Sequence, residues 1–124
     1  MRPVDSLFDT AYQPEPGEMR LDILGIDHVS INTIDFTKTC DFYGHILGLQ
    51  QLQTVNCGEF NITYFALPGG SRLEVFDYHG KNRSTSRQED EAGLRHLAIR
   101  VPDVDACEKA LHAAGVPVTL PATD

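Results

Sequence analysis

One stretch of this chain is written twice. Gly25-Ile26-Asp27-His28-Val29-Ser30-Ile31 returns as Gly93-Leu94-Arg95-His96-Leu97-Ala98-Ile99, and an aspartate follows each at the same distance, Asp35 and Asp103. The offset is constant, because 93−25, 96−28 and 103−35 all give 68. A gapless repeat that covers a strand, a turn and a helix start describes two copies of one supersecondary unit. At 124 residues the chain has room for one real core, so the two copies share it. Copies packed about a pseudo-twofold axis bring their equivalent histidines together, which makes His28 and His96 candidate metal ligands.

The first copy reads as strand, helix and three strands. Apolar residues alternate over 25–33, with Val29 and Ile31 on one face and His28 and Ser30 on the other. Asp35 is placed to cap a helix, since its carboxylate can accept the unpaired amide hydrogens of the first turn. Phe36, Cys40, Tyr43 and Leu47 follow at helical spacing, and Gly48 suits the left-handed residue that ends such a helix. Strands are expected over 49–55, 60–67 and 72–78, separated by the turn chemistry of Cys57-Gly58 and Pro68-Gly69-Gly70. The second copy is expected to open with a strand over 94–101. A helix follows from Pro102-Asp103, with Val104, Cys107, Leu111 and Ala114 on its apolar face and Gly115 at its end. Residues 118–120 can begin one more strand. This organises the chain as an N-terminal arm (1–23) and one domain (24–124) made of a first module (24–78), a polar linker (79–93) and a second module (94–124) that is incomplete in this chain.

Composition narrows the partners. The formal charge of −8 opposes nonspecific nucleic-acid binding, which depends on basic surface. There is no apolar run of membrane-spanning length and no basic start followed by an apolar stretch. Three unpatterned cysteines, Cys40, Cys57 and Cys107, argue against a disulfide framework, so a cytoplasmic protein with a small-molecule ligand is expected.

Strand parity locates the chemistry. Side chains two apart share a face, and Val29 with Ile31, Leu73 with Val75, and Leu97 with Ile99 are all aliphatic. That face belongs under the helices. His28, Glu74 and His96 then point from the opposite face, alongside Ser30, Arg72, Phe76 and Ala98, and a curved sheet would gather them into a lined pocket. Two imidazoles and a carboxylate suit a divalent Zn, Ni, Fe, Mn or Co ion, with positions left open for substrate or water. His45, His79 and His112 have no partner at ligand spacing and read as solvated surface.

A strand-helix-three-strand module used twice, with His28 in its first strand, Glu74 in its fourth and His96 opening the second copy, resembles the vicinal oxygen chelate superfamily. Asp41-Phe42-Tyr43-Gly44-His45-Ile46-Leu47-Gly48-Leu49 is similar to that superfamily's recurrent Phe-Tyr-x-x-x-Leu-Gly-Leu pattern. Members include glyoxalase I, methylmalonyl-CoA epimerase, extradiol dioxygenases, and fosfomycin and bleomycin resistance proteins. The resemblance implies an α+β fold of paired βαβββ modules in a curved mixed sheet. It also implies that His28, Glu74 and His96 are three of four metal ligands, with Glu74 the candidate catalytic residue. The fourth ligand is usually a glutamate in the last strand of the second module, and 74+68 = 142 lies past Asp124.

The activity this implies is that of a divalent-metal-dependent lyase or epimerase like glyoxalase I, acting on a small α-oxo or oxygenated substrate through a metal-stabilised enediolate. An Fe(II) extradiol-type dioxygenase, or a metal-free binding protein of the bleomycin-resistance kind, are the alternatives. A homodimer is expected, because exposed strand edges recruit partners. The 124-residue form is expected to be a poor catalyst unless another element supplies the remaining strands.

Overall fold

The computed structural model describes residues 16–17, 21–83, 88 and 90–122. Most of the expected N-terminal arm, and residues 84–87 and 89 of the expected linker, lie outside them. Within the described residues the fold is α+β: β1 (His28–Thr33), α1 (Phe36–Cys40) running directly into a π-helical turn (Asp41–Ile46), β2 (Gln51–Asn56), β3 (Asn61–Ala66), β4 (Arg72–Asp77) and α2 (Val104–Ala113). The strands form one curved, open sheet in the order β1-β4-β3-β2. β1 runs parallel to β4, and the other two pairings are antiparallel. The chain divides into two units, one of which, Ile26–Pro102, contains the whole sheet. α2 belongs to the other and is described separately below.

The parallel β1–β4 pair follows from the crossover between them, since a helix and a hairpin intervene before the chain returns beside β1. β2, β3 and β4 are joined by the short turns at Gly58 and at Gly69-Gly70, all three of which have positive φ. The core lies on one face of this sheet. Phe65, Leu73 and Val75 are fully enclosed, and Val29, Ile31, Cys40, Tyr43, Leu49 and Leu67 pack around them. Enclosing each of those three side chains contributes about 1.5–3 kcal/mol. Two buried threonines sit at the margins of this core with their hydroxyls paired, Thr63 to Thr54 at 2.9 Å and Thr33 to Thr39 at 2.6 Å.

The first helix closes the core through Tyr43, whose ring lies 6.1 Å from that of Phe65, and through Gly44, where a Cβ would come 3.4 Å from Phe65 Cε1. A glycine lets the helix backbone approach the sheet there. Asp35 caps this helix as expected, accepting from the Lys38 amide at 3.0 Å. Gly48 leaves the helix at φ 75°.

α2, considered by itself, starts and stops in the same way. Asp103 accepts from the Ala106 amide at 3.0 Å, with φ −143° and ψ 102° against −144° and 95° for Asp35. Gly115 ends it at φ 75°, and the Val116 amide reaches back to Leu111 O at 2.9 Å. The two ends do not keep the offset of the starts: 115−48 is 67, whereas 103−35 is 68. The first helix therefore carries one more residue than the second. Its π-helical turn, with Leu47 N bonded to Phe42 O at 2.8 Å, takes up that residue, because an i→i+5 bond encloses one more residue than an α-helical one.

The structure departs from the sequence reading in the second copy. Residues 94–101 form no strand and pair with none of β1–β4, and 118–120 form none either. Leu97 and Ile99, expected under helices, are 44% and 47% exposed, and no residue of α2 is buried. Alternating apolar residues favour a strand, but a strand lasts only where neighbouring backbone takes up its N–H and C=O groups. β4 provides that for β1. No strand among the described residues provides it for 94–101.

Candidate metal centre

The register of the sheet builds the site around Glu74. Ser30 on β1 and Tyr64 on β3 both lie opposite it, while Arg72, two residues before it on β4, lies opposite His28. Glu74 is 8% exposed and is the one buried acid or base among the described residues. A carboxylate so placed is costly unless hydrogen-bonded, and its partners meet that need. Ser30 Oγ donates to Oε1 at 2.5 Å, Tyr64's phenol hydrogen-bonds the same carboxylate, and His28 Nε2 stands 3.3 Å from Oε1. The bond from Ser30, then that from Tyr64 and the charges of His28 and Arg72, hold Glu74 below the usual glutamate range against the upward push of desolvation. Tyr64 moves the opposite way, its proton retained chiefly by the bond to Glu74.

The far side of His28 is equally occupied. Nδ1 lies 2.7 Å from Asp27 Oδ2, and an Arg72 guanidinium nitrogen lies 3.3 Å from the same oxygen. The imidazole's hydrogen bond first, then the guanidinium's, holds the Asp27 carboxyl below the ordinary aspartate range. Arg72 is steadied from below by the Tyr64 ring, 5.3 Å from its guanidinium carbon. The result is one chain of contacts, Arg72 to Asp27 to His28 to Glu74, with Ser30 and Tyr64 on its last member.

Past Glu74 the face turns apolar. Phe76 stacks on Phe60 at 5.4 Å between centroids, and Tyr78 packs on the same ring at 5.0 Å. The open face thus has a charged end at Arg72 and an aromatic end at Phe60.

Of the three residues expected to ligate a metal, the structure brings His28 and Glu74 together and does not bring His96 to them. Among the described residues no three His, Cys, Asp or Glu side chains are arranged so that together they could hold a metal ion. His96 lies in the stretch 94–101, which forms no strand, and is exposed. The two that meet fit a cation by their spacing. Ligand atoms about 2.0–2.2 Å from a zinc-like ion and roughly 90–110° apart are about 2.8–3.6 Å from each other, and 3.3 Å falls in that interval. Sequence reasoning missed Asp27 and Tyr64. Asp27 lay within the repeat but is replaced by Arg95 in the second copy, and Tyr64 is placed by cross-strand register, which strand parity alone does not reveal.

The model of one family, the Glyoxalase/Bleomycin resistance protein/Dioxygenase superfamily, matches residues 25–124. The chain belongs to this superfamily. It is 33% identical over 94 residues to the uncharacterized protein YwkD of Bacillus subtilis (strain 168), covering 73% of this chain and 72% of that one. Among solved structures it is similar to a glyoxalase family protein from Enterococcus faecalis, at 27% identity and TM-score 0.67 over 77% of this chain and 75% of that one. It is also similar to a glyoxylase/bleomycin resistance protein/dioxygenase domain from Frankia sp. EAN1pec, at 25% identity and TM-score 0.69 over 83% and 82%. No helix among the described residues is long and apolar enough to cross a membrane.

Proposed function

We propose that this superfamily member is a divalent-metal-dependent enzyme of the glyoxalase I kind, a lyase or epimerase acting on a small α-oxo or oxygenated substrate. His28, Glu74 and His96 are its metal ligands. The observation that carries this reading is the buried Glu74, held ionised and facing His28 Nε2 across 3.3 Å. A buried acid serves stability poorly, since a well-packed apolar residue would do as well without the desolvation cost. Its presence supports a chemical role.

A divalent cation bound there supplies Lewis-acid polarisation to two adjacent substrate oxygens. The remaining roles fall to the chain. Ser30 and Tyr64 orient the Glu74 carboxylate, which as an ionised group can accept a substrate proton. Arg72 stands on the same face and favours an anionic substrate. His96 completes the donor set when 94–101 gains a pairing strand, and a second copy of the chain, as a homodimer, is our source for it.

The test is elemental analysis of protein purified without chelator, followed by Co²⁺ titration of His28→Ala, Glu74→Ala and His96→Ala. Outer partners of metal ligands cost about 10–100-fold in affinity when removed, so loss of a ligand itself is expected to cost more than about 100-fold. Metal content equal in all three variants and in the parent overturns the reading.

A further inference from the structure

We infer that Asp27 is a positioning residue: pinned by Arg72, it accepts the Nδ1 proton of His28 and commits Nε2, as a bare electron pair, to the side of Glu74. The purpose given to this arrangement rests on the metal-centre reading above; the arrangement itself is separately measurable.

A neutral imidazole carries one N–H and one lone pair, and the stronger hydrogen bond decides which nitrogen keeps the proton. The two sides of the His28 ring are unequal. Asp27 Oδ2 lies 2.7 Å from Nδ1, the length of a charge-assisted hydrogen bond, whereas Glu74 Oε1 lies 3.3 Å from Nε2. The proton belongs on the short side. Nε2 and the carboxylate oxygen then face each other as two electron-pair donors, an opposition that a cation between them relieves.

An exposed aspartate would ordinarily wander, and the side chain of Asp27 is 78% exposed. Two contacts to a single residue hold it. The Arg72 guanidinium reaches Oδ2 at 3.3 Å, and the Arg72 amide donates to the Asp27 carbonyl at 3.1 Å. Arg72 in turn lies against the Tyr64 ring and directly opposite His28 in the β1–β4 ladder. The repeat supplies a contrast: the residue before His96 is Arg95, and a guanidinium has no acceptor to offer an imidazole N–H. The two histidines of the repeat are therefore differently prepared, and His28 is the one oriented in advance.

The experiment records imidazole ¹⁵N spectra of the metal-free full chain in alkaline buffer, for the parent, Asp27→Ala and Asp27→Asn, and measures Co²⁺ affinity for each. The parent is expected to hold His28 with its proton on Nδ1. Asp27→Ala is expected to release it toward the Nε2–H form, and Asp27→Asn, whose amide can donate to Nδ1, to reverse it. Co²⁺ affinity is expected to fall about 10–100-fold in both variants, as for other outer partners of ligating histidines. An Nε2–H tautomer in the parent, or a tautomer unchanged in Asp27→Ala, overturns the inference. If the parent takes up no Co²⁺, the metal reading falls, and the tautomer spectra still decide whether Asp27 sets the ring.

Discussion

β1 and the stretch 94–101 carry the same residue pattern at an offset of 68, and only β1 is a strand. Val29 and Ile31 pack against the core while their counterparts Leu97 and Ile99 remain nearly half exposed. The aspartates that follow each stretch nevertheless adopt almost the same backbone angles and cap their helices through the same bond, from the amide three residues on. What is local has been reproduced in both copies, and what is non-local has not. A helix cap needs only its own first turn. A strand needs a neighbour, and among the described residues β4 lies beside β1 while no strand lies beside 94–101.

The largest expected difference lies in the paired isoleucines. Ile31→Ala removes a side chain packed on the core and is expected to cost roughly 2 kcal/mol or more, in line with other large-to-small core changes. Ile99→Ala, the same change at the equivalent repeat position, is expected to stay within about 0.5 kcal/mol in the dilute, dissociated chain and to cost more where a second copy pairs with 94–101. Urea denaturation of both variants measures the contrast. Equal losses would mean that 94–101 is covered by a partner strand in solution, and dilution would then separate the two.

The caps sharpen the comparison from the other side. Asp35→Ala and Asp103→Ala each remove a carboxylate that accepts a first-turn amide at 3.0 Å. Each is expected to cost its own helix about 1 kcal/mol, read as loss of protection from hydrogen exchange in that helix alone. A cap effect confined to one copy would break the claim that the repeat is locally faithful.

The smallest effect concerns pH and belongs to the first copy only. Because Glu74 is held below the ordinary glutamate value, its ionised form stabilises the folded chain at pH above that value. That contribution is lost as pH falls through the lowered folded value. Glu74→Gln is expected to flatten the acid limb of a melting-temperature profile relative to the parent. An acid limb unchanged in Glu74→Gln would show that the Ser30 and Tyr64 bonds do not favour the ionised carboxylate.

Much of the site was legible before any fold was known, for a simple reason. Alternation places His28 and Glu74 on one face of their strands and the aliphatic residues on the other, whatever the strands later pair with. Asp27 and Tyr64 were not legible as partners of those residues. The contact of Asp27 with Arg72 crosses 45 residues of sequence, and that of Tyr64 with Glu74 depends on which residue of β3 stands opposite which of β4.

The sequence by itself determined the repeat, the two capped helices, the apolar and polar faces of the strands, and membership in a superfamily whose pattern runs through Phe42-Tyr43-Gly44 and Leu47-Gly48-Leu49. These follow from spacing and from residue chemistry acting over a few positions. Tertiary structure alone decided that Glu74 is buried beneath Ser30 and Tyr64, that Asp27 and Glu74 bracket the two nitrogens of His28, and that 94–101 does not join the sheet. Each of these depends on which distant segment comes alongside, and a ladder hydrogen bond or a buried carboxylate is stabilised only once that segment has arrived.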